Sequence, residues 1–361
     1  MRLASKFFLM ALVIIFALTN CKKDPEPEVE PHPSPVKIDS LTYRLSDLAL
    51  FYGTLSNLNP TDNVIPYDLN TPLYSDYASK KRFIYLTSGT EILYNEDGSF
   101  DFPNGAILLK SFYFDKDFRN PSLGNKILET RVLFKEDNVW TFASYQWNDE
   151  QTEAYLSETS KEVNISWKDI NGISQTTNYY IPSTEECAQC HQNNEDILPL
   201  GIEARHLNRN YSYNGKSKNQ LTYFKEKAFI NTLPEISTIS KAPVWNDPTT
   251  GTLEQRARAY LDINCGHCHN PNGQANYTIH LNWEAADEML GKCKMPDYGS
   301  RGGGFTYDIV PGKADSSVMV YRMNSTLNMD KMPPVAKSFT HKEGVQLIKD
   351  WINSMSGGCP E

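Results

Sequence analysis

The sequence has no excess of positive charge, and its N-terminal apolar run is too short for a membrane span. It contains 35 lysines and arginines against 44 aspartates and glutamates, a net charge of −9, which argues against nucleic acid as a partner. The apolar run covers residues 7–18, fewer than the roughly 20 residues that a spanning helix needs. Apart from one duplicated cysteine motif, the chain shows no internal repeat.

The composition is that of a folded protein. Of 361 residues, 40% are hydrophobic, 12% aromatic and 22% charged, so the chain can bury a sizeable core and wholesale disorder is excluded. The length predicts two or three compact units.

The N-terminus predicts export and lipid attachment. Arg2 and Lys6 precede the apolar run, and residues 18–21 (LTNC) are typical of a lipobox, where cleavage leaves Cys21 as the acylated first residue. An ordinary secretory signal followed by an incidental cysteine is the alternative. Without residues 1–20, the mature chain has 33 basic and 44 acidic side chains. Residues 21–40 form a Pro/Glu-rich tether, so we expect a protein anchored to the membrane at the periplasmic or outer-membrane face of the cell envelope.

Four of the seven cysteines lie in two CxxCH motifs. The motifs comprise Cys187, Cys190 and His191, then Cys265, Cys268 and His269. In this signature two thiols bond to the vinyl groups of one porphyrin, and the adjacent histidine coordinates the iron. The sequence therefore predicts two covalently attached haems c. Of the remaining cysteines, Cys293 and Cys359 are expected to form a disulfide in an oxidising compartment, with two separate thiols as the alternative.

Zinc binding and thiol redox chemistry are the alternatives for the CxxC pairs. Four thiolates could hold a structural zinc, but each pair is followed at once by histidine, the pairs lie far apart, and the chain is expected to be exported. A redox CxxC of the thioredoxin type opens a helix after a strand in a βαβ unit, and neither pair has that context. Haem attachment is the favoured interpretation.

The second motif has a candidate sixth ligand in a methionine-proline loop. Met332 lies in residues 329–334 (MDKMPP), where prolines stiffen a loop that can hold sulfur over a haem. A Met/His ligand pair raises the reduction potential, which suits an electron carrier. The alternatives are Met295, Met323 and Met329.

The first motif has a less complete ligand set. His206 is the best candidate for its sixth ligand, with His280 and His341 as weaker ones. If none of them binds, an open iron could react with peroxide or another small molecule.

The fold class expected is α+β. Short β-branched and aromatic runs separated by turns at residues 95–99 and 171–172 predict an antiparallel β sandwich or barrel-like domain over residues 41–183. Residues 184–250 are expected to form the first haem segment and a linker, with a helix near 219–230, and residues 251–361 an all-α cytochrome c domain. Capping boxes at Thr252 and Thr340 predict helices on either side of the second motif. The predicted strands are 82–87, 106–114, 127–135, 139–147, 163–167 and 177–181.

The C-terminal part resembles a class I cytochrome c domain. The resemblance rests on residues 256–261 (RARAYL), the second CxxCH, the methionine-proline loop and a last helix that contains Trp351. Nearly the whole mature chain resembles an uncharacterised family of bacterial dihaem c-type cytochromes with an N-terminal β-rich region. The family brings no established substrate. Residues 334–337 (PVAK) differ from the Glu-Leu-Gly-Arg expected after Met-Pro, which bears on the choice of redox partner. The matching segments are residues 66–78 (PYDLNTPLYSDYA), 129–131 (ETR), 145–148 (YQWN), both CxxCH motifs, 309–312 (IVPG) and Cys359.

These features together predict a dihaem electron-transfer lipoprotein whose partner is a redox donor or acceptor protein. Two other functions stay open. One is a dihaem peroxidase-like enzyme with an open first haem, and the other is a β-domain binding module that delivers electrons to a bound partner. No carboxylate in the β-rich region is nominated as catalytic. An electron carrier is favoured over a catalyst, because dihaem peroxidases usually enclose each haem in its own cytochrome domain and the residues from Cys187 to Cys265 mostly do not form one.

Overall fold

A six-stranded antiparallel sheet is the centre of the β-rich region in the computed structural model, which describes residues 40–275, 278–297 and 303–360. The predicted signal peptide, Cys21 and the tether up to residue 39 lie outside the described residues. Within those ranges, no helix has the length and apolar character needed to cross a membrane.

The strands of the β-rich region follow one another with short connections. The large sheet has the order β10-β9-β8-β7-β4-β3, while β11 and β12 pair with each other as a separate hairpin. In chain order they are β1 (Phe51–Tyr52), β2 (Asn59–Pro60), β3 (Val64–Tyr67), β4 (Ser79–Tyr85), β5 (Leu93–Tyr94), β6 (Phe100–Asp101), β7 (Ile107–Asp115), β8 (Asn125–Glu136), β9 (Val139–Trp147), β10 (Ala154–Leu156), β11 (Lys161–Lys168) and β12 (Ser174–Ile181).

All six predicted strands are confirmed, each within three residues at either end. The turns are confirmed as well, because residues 95–99 connect β5 to β6 and residues 171–172 connect β11 to β12. The sheet is open, since its outermost strands β3 and β10 do not pair with each other in the described part of the chain.

Both faces of the sheet are covered, so its strands are buried on two sides. Ile107 and Leu109 of β7 face a core that includes Leu45, Leu48 and Leu58 from the residues before the sheet. Leu108 points the opposite way, into a core built with residues 202–239. Burying one such aliphatic side chain stabilises the fold by roughly 1.5–3 kcal/mol. Because successive side chains of β7 point to opposite faces, this strand stabilises both cores.

The residues after β12 form short helices and small hairpins. The hydrophobic pattern of residues 185–238 shows no convincing strand, yet two hairpins form there. The second of them, β15 with β16, turns at Asn214 and Gly215, both with positive φ, which is typical of a hairpin turn. The elements are α1 (Thr184–His191), β13 (Gln192–Asn193), β14 (Asp196–Ile197), α2 (Ala204–Leu207), β15 (Asn210–Tyr213), β16 (Lys216–Asn219), α3 (Gln220–Glu226), α4 (Leu253–Leu261), α5 (Val318–Asn324) and α6 (Lys342–Ser354).

One of the two predicted capping boxes is confirmed and the other is wrong. Thr252 Oγ1 accepts from Gln255 N at 3.2 Å, and Gln255 Oε1 accepts from Thr252 N at 2.9 Å, so α4 begins as expected. At α6 the residue before the helix is His341. Thr340 does not cap it, because its hydroxyl donates to Asn324 O at the end of α5, at 2.9 Å.

The observed fold is therefore mixed: a β-rich N-terminal region followed by a part with few, short helices. In that second part, α4 and α6 share a core in which Tyr260 and Leu261 meet Ile348 and Trp351. The two parts also touch, since Asp76, before β4, accepts hydrogen bonds from the backbone N–H groups of Ser338 and Phe339 at 2.7 and 3.0 Å.

Candidate functional site

The first CxxCH motif forms the second half of α1, which is fixed by a capping box at its start. Ser183 Oγ accepts from Glu186 N at 3.2 Å, and Glu186 returns the bond by accepting from Ser183 N at 2.8 Å. Tyr180, at the end of β12, donates its hydroxyl to the same carboxylate at 2.8 Å. The helix therefore holds Cys187, Cys190 and His191 at a defined angle to the sheet.

We expect Ser183→Ala to lower the unfolding free energy by about 1 kcal/mol, because the backbone N–H of Glu186 loses the hydroxyl oxygen that caps it. Urea denaturation of the mature protein would measure the loss. Ser166→Ala is the matched control, since Ser166 lies on the exposed side of the β11–β12 hairpin and bonds only Thr176. Equal midpoints for the two variants would show that the capping box does not stabilise α1.

The second motif follows α4 through a π-helical turn, Asp262–Gly266. Asp262 fixes this turn by accepting from Trp283 N and from Arg205 Nη2, both at 2.9 Å. Gly266 is required here because a Cβ at this position would lie 2.9 Å from the Asn282 Cα. Cys265 thus lies in a turn that is fixed by hydrogen bonds to an earlier and to a later segment of the chain, through Arg205 and Trp283.

The two motifs, far apart in sequence, contact each other directly. Cys268 Sγ lies 3.4 Å from Gln189 O, and Asn194 N donates to Asn272 O at 3.1 Å. Hydrogen bonding from the Cys268 thiol, with help from His267, lowers the pKa of the Cys190 thiol to about 4 and raises that of Cys268. Cys190 of the first motif and Cys268 of the second therefore lie next to each other, where the two motifs meet.

A cleft of about 1270 Å³, open to solvent at its mouth, contains the second motif. We call it the helical cleft. Cys265, Cys268 and His269 lie on one side, and Met332 lines the same space with apolar residues of α5 such as Met319 and Met323.

A second cleft, of about 1120 Å³, contains the first motif and lies between the sheet and the C-terminal part. We call it the sheet cleft. Cys187, Cys190 and His191 line it together with Lys110 and Arg131 of the sheet. The first motif thus takes its surroundings from both neighbouring parts of the chain.

Both motif histidines are held in the tautomer that leaves Nε2 free. His191 Nδ1 lies 2.7 Å from Leu198 O, which can only accept, so Nδ1 carries the proton. His269 Nδ1 lies 2.9 Å from Thr278 Oγ1, whose own proton goes to Ala275 O at 2.7 Å. Burial lowers the pKa of His191 to about 3 and that of His269 to about 4. Neutral imidazoles with a free Nε2 are what an iron ligand requires.

No protein-family model, curated protein or solved structure matches this chain. The family resemblance read from the sequence therefore stays a prediction, and the two clefts have to be interpreted from their own residues. Cys293 and Cys359, outside both clefts, are joined by a disulfide with sulfurs 2.14 Å apart, the pairing that the cysteine count favoured.

The candidate methionines separate into two groups. Met332 and Met323 line the helical cleft. Met295 and Met329 are 67% and 65% exposed and do not line it. Of the four candidates, Met332 of the loop and Met323 of α5 therefore share the cleft with His269, and Met319 of α5, which was not a candidate, lines it as well.

The candidate histidines for the first motif are also separated. His206 is buried, with Nε2 3.5 Å from Asp262 Oδ2. It does not line the sheet cleft but a third cavity, which His191 also lines. His341 lines the sheet cleft but stacks on Tyr74 at 4.2 Å and bonds Tyr260 through Nδ1 at 2.9 Å. His267, within the second motif, also lines the sheet cleft, and its Nδ1 has no partner among the described residues. Sequence reasoning overlooked His267 because it occupies a variable position of CxxCH.

In the described ranges, no group of three or more His, Cys, Asp and Glu side chains is arranged to hold a bare metal ion. A c-type haem needs a different arrangement, because the porphyrin holds the iron and the protein supplies two thioethers and an axial imidazole. Each cleft contains that set.

Lys337 is a further residue that the sequence did not assign. It is buried, and its ammonium donates to Met323 O at 2.6 Å and to Met332 O at 3.0 Å. Burial lowers its pKa to about 8. Lys337 therefore ties the methionine-proline loop to the end of α5, which positions Met332 at the cleft.

Proposed function

We propose that the chain is a dihaem c-type cytochrome that is exported, lipid-anchored through Cys21, and transfers electrons between redox proteins at the cell envelope. One observation carries the proposal: the two cysteines and the histidine of each CxxCH motif line a common cleft, with the histidine Nε2 unprotonated, and the two motifs contact each other through Cys190 and Cys268. When bound, the two haems would supply two one-electron iron couples.

The roles of the residues follow from their positions. Cys187 and Cys190 would bond one porphyrin in the sheet cleft, and Cys265 and Cys268 the other in the helical cleft. His191 and His269 would each hold an iron from one side. Met332 would bind the second iron through sulfur, and its apolar neighbours on α5 would exclude water from that site. Methionine ligation stabilises the reduced iron, which suits a carrier.

Contact between the motifs favours electron exchange between the two cofactors. The two motifs lie next to each other, and the segments that follow them are joined by a hydrogen bond from Asn194 N to Asn272 O. Two independent cofactors would need no such contact. We infer that electrons enter at one cleft and leave at the other.

The packing in the C-terminal part supports the more specific fold proposed there, a class I cytochrome c domain. The helix α4 leads into the motif, α6 with Trp351 packs on it, and the loop holding Met332 closes the cleft from the opposite side. These are the positions that the resemblance implies for the three elements.

A dihaem peroxidase-like enzyme is the second candidate, and one observation favours it. His206, the histidine expected to complete the first site, lines a cavity other than the sheet cleft. An iron there without a sixth ligand could bind peroxide.

The decisive measurement is a haem count on the mature, fully processed protein. We expect two haems per chain by the pyridine haemochrome assay, falling to one when Cys187 and Cys190 are both replaced by serine. Replacing Cys293 and Cys359 by serine is the matched control and should leave two. Resonance Raman spectra then separate the two candidates, because two low-spin irons indicate a carrier and one high-spin iron an enzyme. A colourless protein, or one with zinc at these sulfurs, would refute the proposal.

A further inference from the structure

Three cations lie in one row across the centre of the sheet, on the face that forms the sheet cleft. Lys110 of β7 is directly opposite Arg82 of β4 on one side and Arg131 of β8 on the other. Like charges directly opposite each other on neighbouring strands destabilise a sheet. Such a row therefore requires compensation by negative charge.

The two outer members of the row have carboxylate partners. Arg82 Nη1 lies 2.7 Å from Asp68 Oδ1, and Arg131 makes a two-pronged pair with Glu129 at 2.7 and 2.8 Å. Asp68 and Glu129 are thereby engaged, and Glu129 also accepts the Tyr179 hydroxyl at 2.8 Å.

Lys110, in the middle, has no such partner. Its ammonium makes no hydrogen bond or ion pair within the described part of the chain, although the side chain is half-buried. Burial, together with Arg82 and Arg131, lowers its pKa to about 7. An ammonium that is partly removed from water and has no counter-ion is costly, and Lys110 lines the sheet cleft, where Cys187, Cys190 and His191 also lie.

We propose that Lys110, supported by Arg131, binds a propionate carboxylate of the haem attached to Cys187 and Cys190. This inference rests on the proposed function and gives the sheet a role in it, as the anion-binding wall of the first haem site. The haem brings two carboxylates, and one of them supplies the negative charge that the row lacks. Arg131 presents its guanidinium beside Phe112, 4.4 Å from the ring centroid, and keeps donors available besides those used on Glu129.

The test compares reduction potentials in the haem-loaded mature protein. Lys110→Met removes one positive charge next to the propionate, which favours the oxidised iron and lowers the potential of the first haem. We expect at least a tenfold shift of its oxidation equilibrium, or about 59 mV for one electron. Lys110→Arg should keep the wild-type potential. Lys81→Met is the matched control, because Lys81 precedes Arg82 on the neighbouring strand β4 and successive side chains of a strand point to opposite faces.

Three further measurements make the result unambiguous. Lys110→Gln should give the same shift as Lys110→Met, and serves if the methionine variant does not accumulate. In the Cys187→Ser/Cys190→Ser background, Lys110→Met should leave the remaining potential unchanged, which assigns the effect to the first haem. Infrared difference spectra should show the propionate bands moving in Lys110→Met alone.

Two outcomes would overturn the inference while the proposed function stands. One is a Lys110→Met protein with two haems, unchanged potentials and unchanged propionate bands. The other is a potential that responds to added phosphate in the wild type and not in Lys110→Met, which would assign Lys110 to a free anion. Failure to find two haems in the wild type would instead refute the proposed function itself.

Discussion

Replacing Met332 with alanine is expected to lower the reduction potential of one haem by at least a tenfold change in its oxidation equilibrium, about 59 mV. The physical reason is that a thioether stabilises ferrous iron, and its loss leaves the iron to water or to nitrogen ligands that favour the ferric state. Met332→His should also lower the potential while keeping the iron low-spin. Redox titration followed by visible absorption measures both variants.

The matched control is Met329→Ala, since Met329 belongs to the same loop but is 65% exposed and does not line the helical cleft. It should leave the potential unchanged. If Met332→Ala also has no effect, Met323 of α5, the other candidate methionine that lines the cleft, becomes the ligand, and Met323→Ala should then lower the potential. Unchanged potentials in all three variants would contradict methionine ligation.

The sequence predicted the β-rich region well because hydrophobic alternation and turn residues are local signals. The strand β9 was placed at its observed bounds, and the turns at residues 95–99 and 171–172 join the strands expected. The helix starts show the limit of such signals. Thr252 and Thr340 head identical patterns, yet only Thr252 caps its helix, since Thr340 has a tertiary partner in Asn324. A capping box read from sequence cannot account for that competition.

The sequence identifies the residues of the candidate site but not how they are arranged. The residues of both CxxCH motifs are adjacent in sequence, so pattern alone identifies them. The contact between Cys190 and Cys268 depends on how α1 and the π-helical turn pack, which no local signal encodes. The same holds for Lys337, whose partners are backbone carbonyls of two other segments.

The row of cations in the sheet shows why composition alone is a poor guide to charge. The chain is acidic overall, at −9, yet the wall of the sheet cleft is basic because strand register puts Arg82, Lys110 and Arg131 side by side. Register depends on pairing between strands, so a charge total says nothing about it. A negative net charge therefore does not exclude an anionic ligand at this wall.

Replacing Glu129 with alanine should destabilise the protein more than any other single change to the sheet. Glu129 is fully buried and accepts two hydrogen bonds from Arg131, at 2.7 and 2.8 Å, and one from Tyr179 at 2.8 Å. Its removal leaves a largely desolvated guanidinium without its counter-ion, which costs about 3–5 kcal/mol of unfolding free energy. Urea denaturation, followed by tryptophan fluorescence, measures the loss.

Asp149→Ala is the matched control for this ion pair. Asp149 bonds Lys126 at 2.8 Å, a distance like those around Glu129, but its side chain is 88% exposed. Water screens both charges there, so we expect a much smaller loss than in Glu129→Ala. Both pairs join a carboxylate to a cation, and they differ in burial. The difference in unfolding free energy between the two variants therefore measures the contribution of burial. Similar losses in Glu129→Ala and Asp149→Ala would mean that water reaches Arg131, in which case the sheet cleft is too wet to hold a propionate tightly.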